Sequence, residues 1–359
     1  MNTALITFHR AVNYGAVLQA YALQTAIKQC GTTADIIDYH CPYITSVYRP
    51  YDVSLQSSLT DKIKKYIKSP QLRKKGAAFE AFVKKNLVLT KSYNADNNLQ
   101  ALNNSYDCFL TGSDQVFNLD ISGGDAHYLL DFADDGKKKC AYAASFGYDF
   151  VPPKYIEKTK KLLSRFDDLT VRESSGLNIL QSLGIGNGAV AADPTLLLQA
   201  EQWDKIAALP ADAPKKYVLV YAMDNCVYTL SKARQLAKIK GCKLVLVNPT
   251  LRQRLNCRDF KQYNAIAPDE FVGLFKNAEM VVTNSFHGTA FSIIYGVPFY
   301  SEASNKKKAA RIIDLLDALN IKNRLLPNVT NDDMDWDEIS ANLNKLRETS
   351  LEKLRKMLK

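Results

Sequence analysis

Short apolar runs alternate along this chain with segments whose apolar residues recur every three or four positions. Residues 4–8 read as a buried strand, and His9 to Gly15 as a polar turn. Residues 16–29 then place Val17, Ala20, Tyr21, Leu23, Ala26 and Ile27 on a helical period, with Gly31 following as a C-terminal cap. Residues 34–39 form the next strand. These strands are apolar nearly throughout instead of alternating, which fits a parallel sheet covered on both faces. An irregular excursion is expected over 43–60 and one or two basic amphipathic helices over 61–86. The alternation resumes with strands at 107–111, 140–146, 169–171 and 189–192 and helices near 153–166 and 173–183. After the Pro- and Ala-containing stretch 209–214 a second series begins, with strands at 217–222, 243–247, 280–283 and 297–300 and helices at 226–240, 268–277 and 286–295. A last amphipathic helix over 336–359 carries Ile339, Leu343, Leu346, Leu351, Leu354 and Leu358. The pattern predicts an α/β protein of two doubly wound, Rossmann-like domains facing each other across a cleft. Its ligand should sit at strand C-termini.

Composition narrows the classes. The 359 residues are 47% hydrophobic, enough for two buried cores, and carry no signature of disorder. The first ten residues lack the pattern of a signal peptide, and no apolar run reaches the ~20 residues that span a bilayer, so a cytoplasmic protein is expected. The seven cysteines are scattered without a C-x-x-C pair and read as reduced core thiols. Four histidines without metal-ligand spacing predict no metal, and no cofactor is called for. The net charge is +10, of which +8 lies between Asp61 and Lys91. Charge confined to one segment argues against a nucleic-acid partner. It suits contact with an anionic membrane surface, and equally an ordinary solvated helix face.

Four strand-to-helix junctions carry candidate chemistry. In the turn ending Asn13-Tyr14-Gly15, the glycine permits close backbone approach and the helix start offers N–H groups to an anion or hydroxyl; an ordinary turn gives the same pattern. Gly112-Ser113-Asp114 follows a strand, and its aspartate suits orienting or deprotonating a sugar hydroxyl, although such turns are common. Arg172 stands directly after a strand, where its planar fork suits a carboxylate or phosphate. A surface Arg–Glu pair with Glu173 is the competing reading. Ser285-Phe286-His287-Gly288 opens a helix after the strand 280–283. An imidazole in that first turn, beside N–H donors and the positive end of the helix dipole, suits anion binding and proton movement; a structural histidine fits as well. No P-loop, nucleophile elbow, H-E-x-x-H or dinucleotide-binding glycine motif occurs.

Taken in order, Asn13-Tyr14-Gly15-Ala16 with Leu18–Gln24, Thr111–Asn118, Ala144-Ser145-Phe146-Gly147, Val171-Arg172-Glu173, Asp193–Leu197 and Thr283–Gly288 resemble the polysaccharide pyruvyl transferase family from about residue 5 to residue 300. The resemblance implies a fold similar to GT-B glycosyltransferases, with residues 1–208 on the acceptor side, 209–334 on the donor side and the helix 335–359 returning to the first domain. It implies transfer from phosphoenolpyruvate to a sugar diol of a capsule or exopolysaccharide, leaving a pyruvate ketal and phosphate, with a sugar or lipid-linked oligosaccharide as acceptor. His287 and Asp114 would be catalytic. Arg172, Asn13, Tyr14, Gly15, Gly112, Ser113, Ser285 and Gly288 would bind substrate. A nucleotide-sugar glycosyltransferase and a non-catalytic member of a polysaccharide assembly remain alternatives, because fold does not fix function.

Overall fold

The computed structural model describes residues 1–46, 59–94, 98–223, 226–303, 306–327, 329 and 333–359. Most of the expected excursion over 43–60 lies outside the described residues, as do the side chains of 59–69, the first part of the expected basic helix. The chain forms two compact units, Met1–Leu197 with Arg347–Lys359, and Leu198–Leu346.

The first unit runs β1 (Thr3–Ile6), α1 (Tyr14–Gln29), β2 (Ala34–His40), α2 (Pro42–Ser46), α3 (Leu59–Asn86), β3 (Leu89–Asn94), β4 (Cys108–Thr111), β5 (Lys138–Ala144), α4 (Ile156–Leu163), β6 (Asp168–Val171), α5 (Ser174–Ser182) and β7 (Gly188–Val190). Its seven strands pair in the order β3-β2-β1-β4-β5-β6-β7, all in parallel. Every strand therefore ends on the same edge of the sheet. The chain winds outward from β1 to β3, then restarts at β4 on the other side, so strand order changes direction between β1 and β4, the place where open α/β sheets bind ligands.

The second unit contains α6 (Ala200–Asp204), β8 (Tyr217–Tyr221), α7 (Val227–Lys240), β9 (Lys243–Val247), α8 (Leu251–Asn256), β10 (Lys261–Tyr263), α9 (Pro268–Lys276), β11 (Met280–Thr283), α10 (Phe286–Ile294), β12 (Phe299–Glu302), α11 (Lys306–Ala318) and β13 (Leu325–Leu326). Its strand order, β10-β9-β8-β11-β12-β13, repeats the same logic with the change of direction between β8 and β11. The last helix, α12 (Trp336–Met357), begins in the second unit and ends in the first. There Ser350 Oγ accepts from Ala192 N (3.0 Å), Arg347 Nε donates to Leu196 O (2.9 Å) and Lys353 Nζ to Val190 O (2.6 Å). All seven cysteines are free thiols, five of them buried. Among the described residues no helix is long and apolar enough to cross a membrane.

Three differences from the sequence pattern have clear causes. Strands β3, β10 and β13 lie at or next to sheet edges, are short or mixed in polarity, and so lack a continuous apolar run. Strand β12 starts two residues later than expected and runs on to Glu302, whose buried carboxylate accepts from Thr229 N (2.7 Å) and Oγ1 (2.6 Å). Helix α1 begins at Tyr14, because Asn13 caps it by accepting from Ala16 N (3.4 Å).

Helix α3 docks through Phe79, Phe82 and Val83, all buried, with the Phe79 ring 5.0 Å from that of Tyr14. Lys75 is drawn into this contact, its ammonium 4.8 Å from the centre of the Tyr14 ring, and burial pushes its pKa down to about 8. A lysine lowered in the folded state destabilises that state below about pH 8, and the penalty fades as the pH approaches the unfolded value of ~10.4. Lys75→Met should therefore raise stability by about 1–3 kcal/mol at pH 7, with the gain shrinking towards pH 10. Urea denaturation across that range reads it; equal midpoints at pH 7 would show that the ammonium costs nothing.

Candidate functional site

In the first unit the loops after β1 and β4 are tied by one side chain. Gln19 of α1 donates to Thr7 Oγ1 (2.8 Å), and its carbonyl oxygen accepts from Ser113 N (3.0 Å). Ser113 is fully buried and donates its hydroxyl to Ala143 O (2.7 Å). Gly112 has φ +124°, and a Cβ there would meet Tyr142 O at 2.1 Å, which only glycine avoids. These two residues hold the loop and are not exposed to a ligand. The side chain they present is Asp114, at φ 68°, a region that aspartate tolerates. Its carboxylate is 15% exposed.

Arg172 lies behind Asp114 with its side chain only 1% exposed. Its NH1 donates to Asp193 Oδ2 (2.7 Å), NH2 is 3.6 Å from Asp114 Oδ1 and Nε 3.8 Å from Glu173 Oε2. Asp193 is fixed in turn by Thr195 N (2.9 Å) and Thr195 Oγ1 (2.7 Å), and Glu173 by the Ser145 hydroxyl (2.6 Å). Burial opposes the guanidinium charge, but the carboxylates of Asp193, Asp114 and Glu173 outweigh it and lift the Arg172 pKa above the ordinary value. Two expectations are corrected here. Arg172 is not half of a surface Arg–Glu pair, and its fork faces three carboxylates, so an arriving anion would meet net negative charge.

Tyr14 is also removed from the ligand-facing set, since its side chain is fully buried against Phe79 and Lys75. Asn13 is engaged as the cap of α1, and Gly15 is buried in that helix's first turn.

A second cluster on the same edge went unnoticed in the sequence. Asp38, near the end of β2, accepts from His9 Nε2 (3.2 Å) and Arg10 Nε (2.7 Å), and lies 3.3 Å from His40 Nε2. Burial opposes ionisation of Asp38, but the bonds from His9 and Arg10 and the charge of Arg10 prevail and hold its carboxyl well below the usual range. The available signal was positional: His9 and Arg10 follow one strand and Asp38 and His40 end its neighbour. Although His9, Asp38 and His40 meet here, no group of three or more His, Cys, Asp or Glu among the described residues is placed to hold a metal ion.

In the second unit, β11 passes into α10 through a compact turn. Thr283 Oγ1 donates to Tyr221 O (2.5 Å) and accepts from Ser285 N (3.1 Å). Asn284 clasps the backbone of Met223, accepting from its N (2.6 Å) and donating to its O (2.6 Å), which joins the loops after β8 and β11. A Cβ at Gly288 would stand 2.3 Å from Thr283 Oγ1, so glycine lets α10 lie directly on β11. Ser285 occupies the cap position without a side-chain capping bond. His287, partly buried, is the second residue of α10, its ring 5.3 Å from that of Phe286. Backbone N–H groups of a first helical turn lack intrahelical partners, so Ser285 and His287 stand at an anion-favouring end. Separately, a cavity of about 340 Å³ opens where β8 and β9 lead into α7 and α8, lined by Cys226, Leu230, Thr250, Arg252, Gln253 and Asn256 among others.

The sequence pattern of the family described as polysaccharide pyruvyl transferase matches residues 13–306. No protein of curated function matches the chain. Solved GT-B glycosyltransferases and epimerases share its fold. UDP-GlcNAc 2-epimerase from Methanocaldococcus jannaschii, in complex with UDP-GlcNAc and UDP, is 14% identical with a TM-score of 0.50, covering 100% of this chain and 99% of its own. An α-glucosyltransferase in complex with UDP is 8% identical with a TM-score of 0.50, covering 99% and 94% respectively.

Removing Arg172 should be costly to the fold itself. Arg172→Met leaves buried carboxylates facing one another, and a loss of about 3–5 kcal/mol is expected from denaturant unfolding. Arg172→Lys should recover only part of it, because an ammonium cannot span Asp193 and Asp114 as a fork does. A midpoint unchanged in Arg172→Met would mean that the cluster is not a stabilising unit.

Proposed function

The chain belongs to the polysaccharide pyruvyl transferase family, and from that membership we propose that it forms a pyruvate ketal on a sugar of a bacterial surface polysaccharide, with phosphoenolpyruvate as donor. Membership makes it a polysaccharide-modifying transferase; the donor and the ketal are the proposal. The observation that carries the reading is His287 in the first turn of α10, beside Ser285, at the C-terminal end of a central strand.

The reaction asks for an acid, a base and a home for a multiply charged anion. Protonation of the methylene carbon of phosphoenolpyruvate develops positive charge at the neighbouring carbon, which one sugar hydroxyl attacks. Phosphate then leaves, and a second hydroxyl closes the ketal and gives up its proton. His287 is assigned as the proton donor, and the start of α10 as the seat of phosphate or carboxylate. Asp114 is assigned as the base for the acceptor hydroxyl, with Arg172 behind it as a positioning residue. The helix dipole favours neutral imidazole, whereas a bound anion within ~4–6 Å favours imidazolium, so donor binding and protonation of His287 should be coupled. A lipid-carried acceptor would bring the enzyme to an anionic surface, which the positive segment 61–91 suits. Equal sedimentation of wild type and a Lys74/Lys84/Lys85-to-Gln variant with anionic vesicles would remove that last element.

The reaction is tested by phosphate release from phosphoenolpyruvate against a panel of acceptor glycans; release of a nucleoside diphosphate from a nucleotide sugar instead would make the chain a glycosyltransferase. Within the reaction, His287→Gln keeps a hydrogen-bonding group but supplies no titrating proton. Turnover at saturating donor should fall by roughly 10²-fold or more while donor binding persists. Turnover near that of wild type would end the acid assignment.

A further inference from the structure

The His9–Arg10–Asp38–His40 cluster has no part in the reaction as written above, yet it shares a sheet edge with Asp114. Its hydrogen bonds fix its geometry. His9 is buried, with Nδ1 3.2 Å from Thr7 O and Nε2 3.2 Å from Asp38 Oδ1. Arg10 and a second imidazole, His40, approach the same carboxylate oxygen. Exposure then separates the roles: His9 and Asp38 lie behind at 0% and 8%, while Arg10 and His40 reach the surface at 16% and 31%.

The groups facing His40 are Asp38, Arg10 and His9 within the cluster and, from α3, Glu80, which forms a pair with Lys84 (3.0 Å). That pair is neutral as a whole and leaves the Arg10 fork as the cation nearest His40. Burial and the nearby Arg10 push His40 below its ordinary pKa, only partly offset by Asp38. It is thus neutral until an anion arrives, and able to take up a proton when one does. Asp38 is on β2 and Asp114 follows β4, with β1 between them. Two strand spacings amount to roughly 10 Å, a distance one hexose and its anomeric phosphate can bridge.

We propose that Arg10 and His40 form a subsite for the anomeric phosphate or diphosphate of the acceptor, so that the sugar carrying that group presents its hydroxyls towards Asp114. The assignment rests on the transferase reading for calling the ligand an acceptor, but binding itself does not depend on turnover. Asp38 and His9 are positioning residues: Asp38 holds Arg10 from one side and leaves its remaining N–H groups to a phosphoryl oxygen. The edge pairs a partly exposed guanidinium at one cluster with a carboxylate at the other, which orients a substrate with one anionic end and one neutral diol.

The chain has four histidines, His9, His40, His127 and His287, so ring proton signals are few enough to assign by single substitutions. Titration with inorganic pyrophosphate should move the His40 signal towards the imidazolium position. His287→Gln should leave that response intact, which separates it from anion binding at α10. Arg10→Gln should weaken the response by about tenfold or more; His40→Gln, at the more exposed position, should weaken pyrophosphate binding in calorimetry if Arg10→Gln folds poorly. UDP-glucose and phosphatidylcholine vesicles containing a polyprenyl diphosphate then distinguish a soluble from a lipid carrier, and a His40 response to either supports the subsite. A His40 signal unmoved by millimolar pyrophosphate, or unchanged affinity in both variants, would overturn it. A response to pyrophosphate with none to either carrier would overturn its assignment to the acceptor. Failure to form a ketal would leave the binding result standing and count against the transferase reading alone.

Discussion

The first unit depends on a single buried amide. Gln19 projects from α1 into the gap where strand order changes direction, and there it joins Thr7 after β1 to Ser113 after β4. At such a switch point adjacent loops run apart, and their backbone groups lose the partners that a continuing sheet would supply. An apolar residue at 19 would leave the buried Ser113 N–H without its acceptor, at a cost comparable to a lost hydrogen bond. The amide fixes Ser113, Ser113 holds the backbone of β5 through Ala143, and Asp114 emerges from the turn so pinned. The second unit closes its corresponding gap by the same chemistry, with Asn284 grasping Met223 on both its N–H and its C=O. In both units a side-chain amide at the switch point sets the loop that carries the candidate catalytic group.

The fold was legible in the sequence because its central strands are buried on both faces. Strands β1, β2, β4, β8 and β11 show as apolar runs. What was hidden lies at the periphery. Strand β3 (LTKSYN) is half exposed, and β10 and β13 have three and two residues. The site was legible only in part, for a related reason. Gly112, Ser113, Tyr14 and Gly288 stand at strand-to-helix junctions on the right edge, which is what marks them as ligand-facing in the sequence. Gly112 is packed against Tyr142 and Tyr14 lies under α3, while Gly288 rests on Thr283 with its N–H in the first turn of α10. A loop glycine looks the same in sequence whether it admits a substrate or a neighbouring backbone.

Pairings between distant residues were the other hidden element. Arg172 and Asp193 are separated by 21 positions, His9 and Asp38 by 29. Only the parallel registers of β1 with β2 and of β6 with β7 bring them together. Single residues beside strand ends suggested chemistry correctly as to place, but the partner decides the sign of the local charge. Arg172 in isolation reads as an anion-binding fork, and among three carboxylates it becomes the centre of a net negative cluster.

That sign determines how the proposed reaction must be divided. Phosphoenolpyruvate brings a carboxylate and a phosphate, and placing one more negative charge ~4 Å from an uncompensated carboxylate costs about 4 kcal/mol at an effective dielectric constant near 20. The Asp114–Arg172–Glu173–Asp193 cluster already carries two carboxylates more than it has cations, so it repels the donor while remaining suited to taking a proton from a neutral hydroxyl. The start of α10 has the opposite character, with first-turn N–H groups, the Ser285 hydroxyl and an imidazole. In the proposed reaction the acid and the anion are therefore assigned to His287, and the acceptor hydroxyl to Asp114.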